Sequence, residues 1–247
     1  MTHSGVVKHG YRYQFGRNTA LFTHDDLLSL NARFEHTNPQ HILQWAADRF
    51  GEAAAVVTSL QPTGIVTLHM MHTLGIHLPV LTLDTGHLFP ETYTLIEQVE
   101  AHFNITVERI KPDVHVIEQD QSGTPLWQQD TNQCCYLHKV LPLKKALAPY
   151  DAWITGLRRD QSPSRAETDI VSWDVQRNMT KLCPLATWTE AMVWSYIKGY
   201  QLPYNTLHDK GYPSIGCMPC TQPVNGTRDL RAGRWQGTNK TECGIHL

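Results

Sequence analysis

Two rhythms of apolar residues divide the chain. Leu27, Leu30 and Phe34 recur at helical spacing. Thr23 and Asp26, three residues apart, form a capping-box signature ahead of them. A second helix is predicted over residues 39–50, with proline near its start and Gly51 as its stop. From Ala53 the pattern shifts to short apolar runs. Residues 53–58, 79–83, 105–110 and 152–155 read as strands. Helical stretches follow the first, ending at Leu74, and the second, from Pro90 to about His102. After Lys181 the pattern is irregular, apart from a helix near residues 189–199. Strands alternating with helices predict an α/β fold, a parallel twisted sheet flanked by helices. Such sheets take ligands at the carboxyl ends of their strands. The polar turns at residues 59–64, 84–87 and 158–165 are therefore candidate sites.

Composition narrows the function class. The 247 residues are 41% hydrophobic and 18% charged, a balance suited to a globular chain and not to a disordered one. A net charge of -2 speaks against a surface built for nucleic acid. No apolar run approaches the roughly 18 residues of a membrane span. Residues 1–10 lack the apolar core of a secretory signal. The expectation is a cytoplasmic protein with reduced cysteines. Three parts are expected: an N-terminal arm over 1–22, an α/β domain over 23–220, and a C-terminal segment over 221–247. That last segment carries Arg228, Arg231, Arg234 and Lys240 against Asp229 and Glu242.

Six cysteines carry the candidate chemistry. Cys134 and Cys135 are adjacent, and Cys217 and Cys220 form a C-x-x-C. Four thiolates suit either zinc or a cubane iron–sulfur cluster, although adjacent ligands fit zinc knuckles poorly. Cys183, between Leu182 and Pro184, reads as a small buried hydrophobe. Cys243 lies near the C-terminus. It is either an incidental thiol on a frayed tail or a nucleophile on a mobile one. Lys240, His246 or a docked arginine would lower its pKa, and Glu242 would oppose them. His69 and His72 lack an acidic partner at ligand spacing and are not expected to bind metal. Trp153, Trp173, Trp188 and Trp194 fall in apolar segments and are expected in the core.

Taken in order, several segments resemble the assimilatory sulfonucleotide reductases, and among them the cluster-bearing bacterial adenosine 5′-phosphosulfate (APS) reductases. These are Leu83-Asp84-Thr85-Gly86, Cys134-Cys135, and the run from Thr155 through Arg158-Arg159 to Ser162. Gly211 through Cys217-Met218-Pro219-Cys220, Arg231-Ala232-Gly233-Arg234-Trp235 and Glu242-Cys243-Gly244-Ile245-His246 complete the series. The resemblance implies a fold like the adenine nucleotide alpha-hydrolase (PP-loop) group. It also implies one [4Fe–4S] cluster per subunit on Cys134, Cys135, Cys217 and Cys220. Cys243 is implied to attack the sulfur of APS, release AMP and become an S-sulfocysteine. Thioredoxin, or a glutaredoxin-like dithiol, would then release sulfite.

Substrate contacts are expected from Ser59, Thr63 and Gly64, at a helix N-terminus suited to an anion, and from Asp84, Thr85 and Gly86. Lys139, Arg158, Arg159, Arg231, Arg234 and His246 complete the expected set. The first loop, Ser59-Leu60-Gln61-Pro62-Thr63-Gly64, lacks the acidic pair usual in such reductases. It also lacks the Ser-Gly-Gly-x-Asp-Ser of PP-loop ATPases, which speaks against ATP. A reductase of the 3′-phosphorylated substrate (PAPS) is the near alternative. An iron–sulfur tRNA-thiolating enzyme and a non-enzymatic zinc module are remote ones. Neither a nucleic-acid nor a membrane partner is expected, and the sequence leaves room for a homo-oligomer.

Overall fold

The structure is a computed structural model that describes residues 22–224, 226 and 229–246. All but the last residue of the expected N-terminal arm lies outside the described residues, as does Arg228. Two helices come first, α1 (His24–Phe34) and α2 (Pro39–Phe50). The capping box of α1 is formed in both directions: Asp26 N–H donates to Thr23 Oγ1 at 3.1 Å, and Thr23 N–H to Asp26 Oδ2 at 2.7 Å. The chain then runs β1 (Ala54–Val57), α3 (Pro62–Leu74), β2 (Val80–Leu83), α4 (Pro90–Phe103) and β3 (Val107–Ile110). Short helices α5 (Val114–Ser122), α6 (Leu126–Gln129) and α7 (Thr131–Cys135) follow. One π-type turn, Tyr136–Val140, leads into α8 (Leu141–Leu147). The remaining elements are β4 (Ala152–Thr155), β5 (Val171–Asp174), β6 (Met179–Leu182) and α9 (Glu190–Gly199).

The six strands form one sheet in the order β3-β2-β1-β4-β6-β5. All pairings are parallel except β5 with β6. β1 and β4 are buried at every position, as strands covered by helices on both faces must be. That continuous burial makes them legible as unbroken apolar runs. The β5–β6 hairpin is not among the strands expected from the sequence. Its strands include Ser172, Asp174, Thr180 and Lys181, so they carry no apolar run. Its turn is closed by Arg177, whose guanidinium meets Asp174 at 2.8 Å.

Trp153 is fully buried, while Trp173, Trp188 and Trp194 are partly buried against the main core. Cys183 is also fully buried there, and burial pushes its thiol up to about 11. Cys183→Ser should therefore cost about 1–3 kcal/mol, the usual cost of a buried hydroxyl without a partner. Chemical denaturation measures this directly, and iron content should stay unchanged. No helix among the described residues is long and apolar enough to cross a membrane.

Candidate active site

The sheet changes winding direction at β1, with β2 on one side and β4 on the other. Crevices at such switch points are where open α/β sheets take ligands. A cavity of about 210 Å³ lies there.

Its floor is the first turn of α3, with Ser59, Thr63 and Gly64 on the wall. Gln61 precedes this helix without capping it by a side-chain bond. Pro62 has no N–H and Gly64 N–H donates to the Gln61 carbonyl at 2.8 Å, so it is the Thr63 amide that this terminus offers to an anion. The turn is held tightly. A Cβ on Gly64 would lie 2.0 Å from Thr58 Oγ1, so only glycine fits. Leu60, buried, sits at φ 54, a backbone conformation costing about 1–3 kcal/mol.

Arg158 and Arg159 part company. Arg158 is buried on the wall, where Nη1 donates to Thr63 Oγ1 and Nε to Asp160 Oδ1 at 2.9 Å. Arg159 turns away to grip the Glu35 carboxylate and the Thr168 carbonyl, and is not on the wall. Asp84 and Gly86 are likewise absent from it. The Asp84 carboxylate is engaged by its own turn and by α4, accepting from Gly86 N–H at 3.1 Å and Tyr93 Oη at 2.7 Å. Thr85 alone of that turn reaches the cavity.

The chain returns over the cavity after Cys220. Thr221 bridges Arg234, and Trp235 N–H donates to the Cys220 carbonyl at 3.0 Å. Trp235 is a buried platform for cations: Arg234 lies 4.5 Å and Arg231 5.4 Å from its ring centre. Arg234 fits because the facing residue is Gly216, whose Cβ would meet a guanidinium nitrogen at 2.1 Å.

The tail is docked at both ends of Cys243. Glu242 accepts two bonds from Arg165, at 2.8 and 2.7 Å, and a third from Arg231 at 3.1 Å. His246 stacks flat on Trp153, with ring centres 5.5 Å apart and planes 6° apart. Between these anchors Cys243 lines the cavity, half-buried. Arg234 Nε, Trp235 Nε1 and His246 Nδ1 are buried with no hydrogen-bond partner. All three residues line the cavity, so polar atoms remain there for a ligand to satisfy.

Both anchors are sensitive to acid. Burial raises the Glu242 carboxyl, but hydrogen bonds and charge from Arg165, then Arg231, bring it below its ordinary 4.5. Burial holds His246 well below its ordinary 6.5, reinforced by Lys181 and nearby arginines. Each group binds protons more weakly docked than free. Docking is therefore complete above 6.5 and weakens as pH falls through it, first at His246 and then, below 4.5, at Glu242. Hydrogen exchange at amides 242–246, corrected for its intrinsic pH dependence, should accelerate over that range. His246→Gln should remove the first step, and a flat profile would sink the idea.

A second, smaller cavity adjoins the first and is lined by Cys134, Cys135, Cys217 and Cys220. Asp130 caps α7 through the amides of Asn132 and Gln133, placing the first pair. Leu88 bridges Cys217, and Met218 N–H donates to the His87 carbonyl at 2.7 Å, placing the second pair. Burial and the neighbouring thiolates of Cys135 and Cys217 push Cys134 up to about 12. For Cys217 burial is outweighed by Lys139 and the Thr85 hydroxyl, and its thiol falls below the ordinary range. A set of four soft sulfur donors, crowded and mutually repelling as anions, is chemically suited to a polynuclear iron–sulfur centre or zinc. Lys139 lies on the wall of both cavities. Burial opposes its charge, but the thiolates of Cys217, Cys243 and Cys135 raise its pKa.

Residues 53–223 match the phosphoadenosine phosphosulfate reductase domain. The chain belongs to this family. It is 47% identical to an adenosine 5′-phosphosulfate reductase of Salinibacter ruber, over 89% of this chain and 88% of the relative. It is 44% identical to adenosine 5′-phosphosulfate reductase 1 of Bacillus subtilis, over 83% and 89%. Among solved structures it is similar to a phosphoadenylyl-sulfate reductase of Candida auris in a phosphate complex. There the TM-score is 0.73 and identity 28%, over 84% of this chain and 100% of that one.

Within this reductase framework three residues of the site carry no sequence signal of their own. Arg165 stands in a candidate turn, but nothing in its spacing separates it from its neighbours. Glu242, expected to oppose thiolate formation, is instead neutralised by two arginines. Trp235 stands out in the sequence only as the end of the Arg231–Trp235 segment.

Proposed function

We propose that the chain reduces APS to sulfite and AMP at the cavity between β1 and β4. The observation that carries this reading is the seating of Cys243 on the same wall as the α3 N-terminus and five basic side chains, Lys139, Arg158, Arg165, Arg231 and Arg234. The anionic phosphosulfate would lie on those donors. The Cys243 thiolate attacks sulfur, the bond from sulfur to the phosphate oxygen breaks, and that electron pair leaves with AMP. Cationic neighbours stabilise the charge that develops on the leaving phosphate.

The enzyme then carries S-sulfocysteine at Cys243. One thiolate of a thioredoxin-like dithiol attacks the Cys243 sulfur, and sulfite departs with the bonding pair. The second thiol of the dithiol resolves the mixed disulfide and restores Cys243. Two electrons thus come from the dithiol, and sulfur goes from sulfate to sulfite oxidation level.

Cys134, Cys135, Cys217 and Cys220 would hold a [4Fe–4S] cluster, which would supply fixed charge beside the site. Lys139, shared by both cavities, would balance that charge and hold the substrate anion. The names of the relatives support APS as substrate. The family description and the Candida auris neighbour keep PAPS as the second reading.

Anaerobic purification followed by sulfite release with thioredoxin, from APS and from PAPS, tests the proposal. A brown protein with four irons per chain and a clear preference for APS is expected. Preference for PAPS would replace the substrate assignment, and a colourless zinc protein would replace the cluster.

A further inference from the structure

Beside the four-thiol cavity three further side chains meet: Asp120 on α5, His87 after β2, and His138 in the π-type turn. Their ligand atoms lie within 4.8 Å of one another. Asp120 is buried. Its Oδ1 accepts from Leu126 N–H at 2.9 Å, and its Oδ2 lies 2.9 Å from His87 Nε2. The same Oδ2 lies 3.1 Å from His138 Nε2, off hydrogen-bond alignment, so there the carboxylate seats the ring edge.

The directed bond of His138 is on its other face. Nδ1 lies 3.0 Å from the Thr85 carbonyl, which can only accept, so Nδ1 carries the proton. His138 is 2% exposed, so water does not compete for this bond. Thr85 is also engaged at its side chain. Its hydroxyl oxygen accepts from His87 N–H at 3.3 Å, and the hydroxyl lies 3.3 Å from Cys217 Sγ. With that oxygen accepting from an amide, its proton is available to the sulfur.

We propose that His138, seated by Asp120, is a positioning residue for the thiol cage: it holds the Thr85 backbone so that the Thr85 hydroxyl donates to Cys217. The proposal rests on the cluster reading above. Outer partners that orient a metal's ligands typically carry about 10- to 100-fold in metal affinity, although none of these three is itself a sulfur ligand.

The test uses the anaerobic holoprotein and no turnover. Iron release to a chelator is timed, and the electron paramagnetic resonance spectrum of the reduced protein is recorded. His138→Leu should release iron about 10-fold faster and shift the spectrum. His138→Asn, whose amide can donate near the Nδ1 position, should restore most of both. Thr85→Val should reproduce the His138→Leu change, and the double variant should add little, as for residues acting in one chain of contacts. The Thr85→Val and His138→Asn arms decide the matter if His138→Leu does not fold. Unchanged release and spectrum in these variants would overturn the proposal, as would an Asn variant no better than Leu. One zinc or manganese per chain, lost in Asp120→Asn, would overturn it in favour of a cation site. Wild-type protein without iron would overturn the cluster reading itself, and this inference with it.

Discussion

Cys243→Ser should abolish turnover while leaving the fold, the iron and nucleotide binding in place. A serine hydroxyl is far from ionised at neutral pH, whereas a thiol is partly thiolate and intrinsically more nucleophilic. Loss of a group that bonds to the reacting atom costs about 10⁴-fold or more. Cys183 is fully buried in the core. The remaining four line the smaller cavity, and Cys217, the one of them that also borders the larger cavity, would be held as a cluster ligand. Mixing wild-type protein with APS, without reductant, should add about 80 Da, the mass of SO₃, through the covalent intermediate. The serine variant should add nothing. An adduct on that variant would place the nucleophile elsewhere.

Arg165→Ala should have the next largest effect, because it removes two of the three arginine bonds that hold Glu242. Glu242 would then keep only the bond from Arg231 at 3.1 Å and a longer one from the Ser164 hydroxyl at 3.4 Å. Cys243 is the next residue, so loosening Glu242 displaces the sulfur. A misplacement of about 1 Å can cost 10²-fold in rate. Adduct formation should slow by about that factor, and amides 242–246 should exchange faster. Glu242→Gln, which keeps acceptor capacity but loses charge, should show a smaller change in the same direction. Fast exchange with adduct formation at the wild-type rate would mean that transfer does not need the docked tail.

Much of the fold could be read from the sequence: α1 and α2 from their caps and apolar spacing, and β1 to β4 as short runs, although β3 is exposed at Glu108 and Arg109. β1 and β4 are buried throughout and stand out as apolar runs, and the turns at their ends border the cavity. The β5–β6 hairpin escaped because its inward positions include Thr180 and Asp174. At the site, residue type was legible but direction was not. Arg158 and Arg159 are neighbours, yet one clamps α3 and the other pairs with Glu35 across the fold. Asp120 and His138 were invisible for a related reason. They lie 33 and 51 positions beyond His87, and only the packing of α5 against the π-type turn brings them together.

Cys217 and Lys139 border both cavities, and this shared wall has a thermodynamic corollary. Whatever fills the sulfur-lined chamber alters the charge seen by an anion next door. Free energies of binding are reciprocal. If iron tightens AMP by some factor, AMP must tighten iron by the same factor. A product that has left no covalent trace would thus still act as a guardian of the metal, slowing its loss to a chelator in proportion to its own gain in affinity.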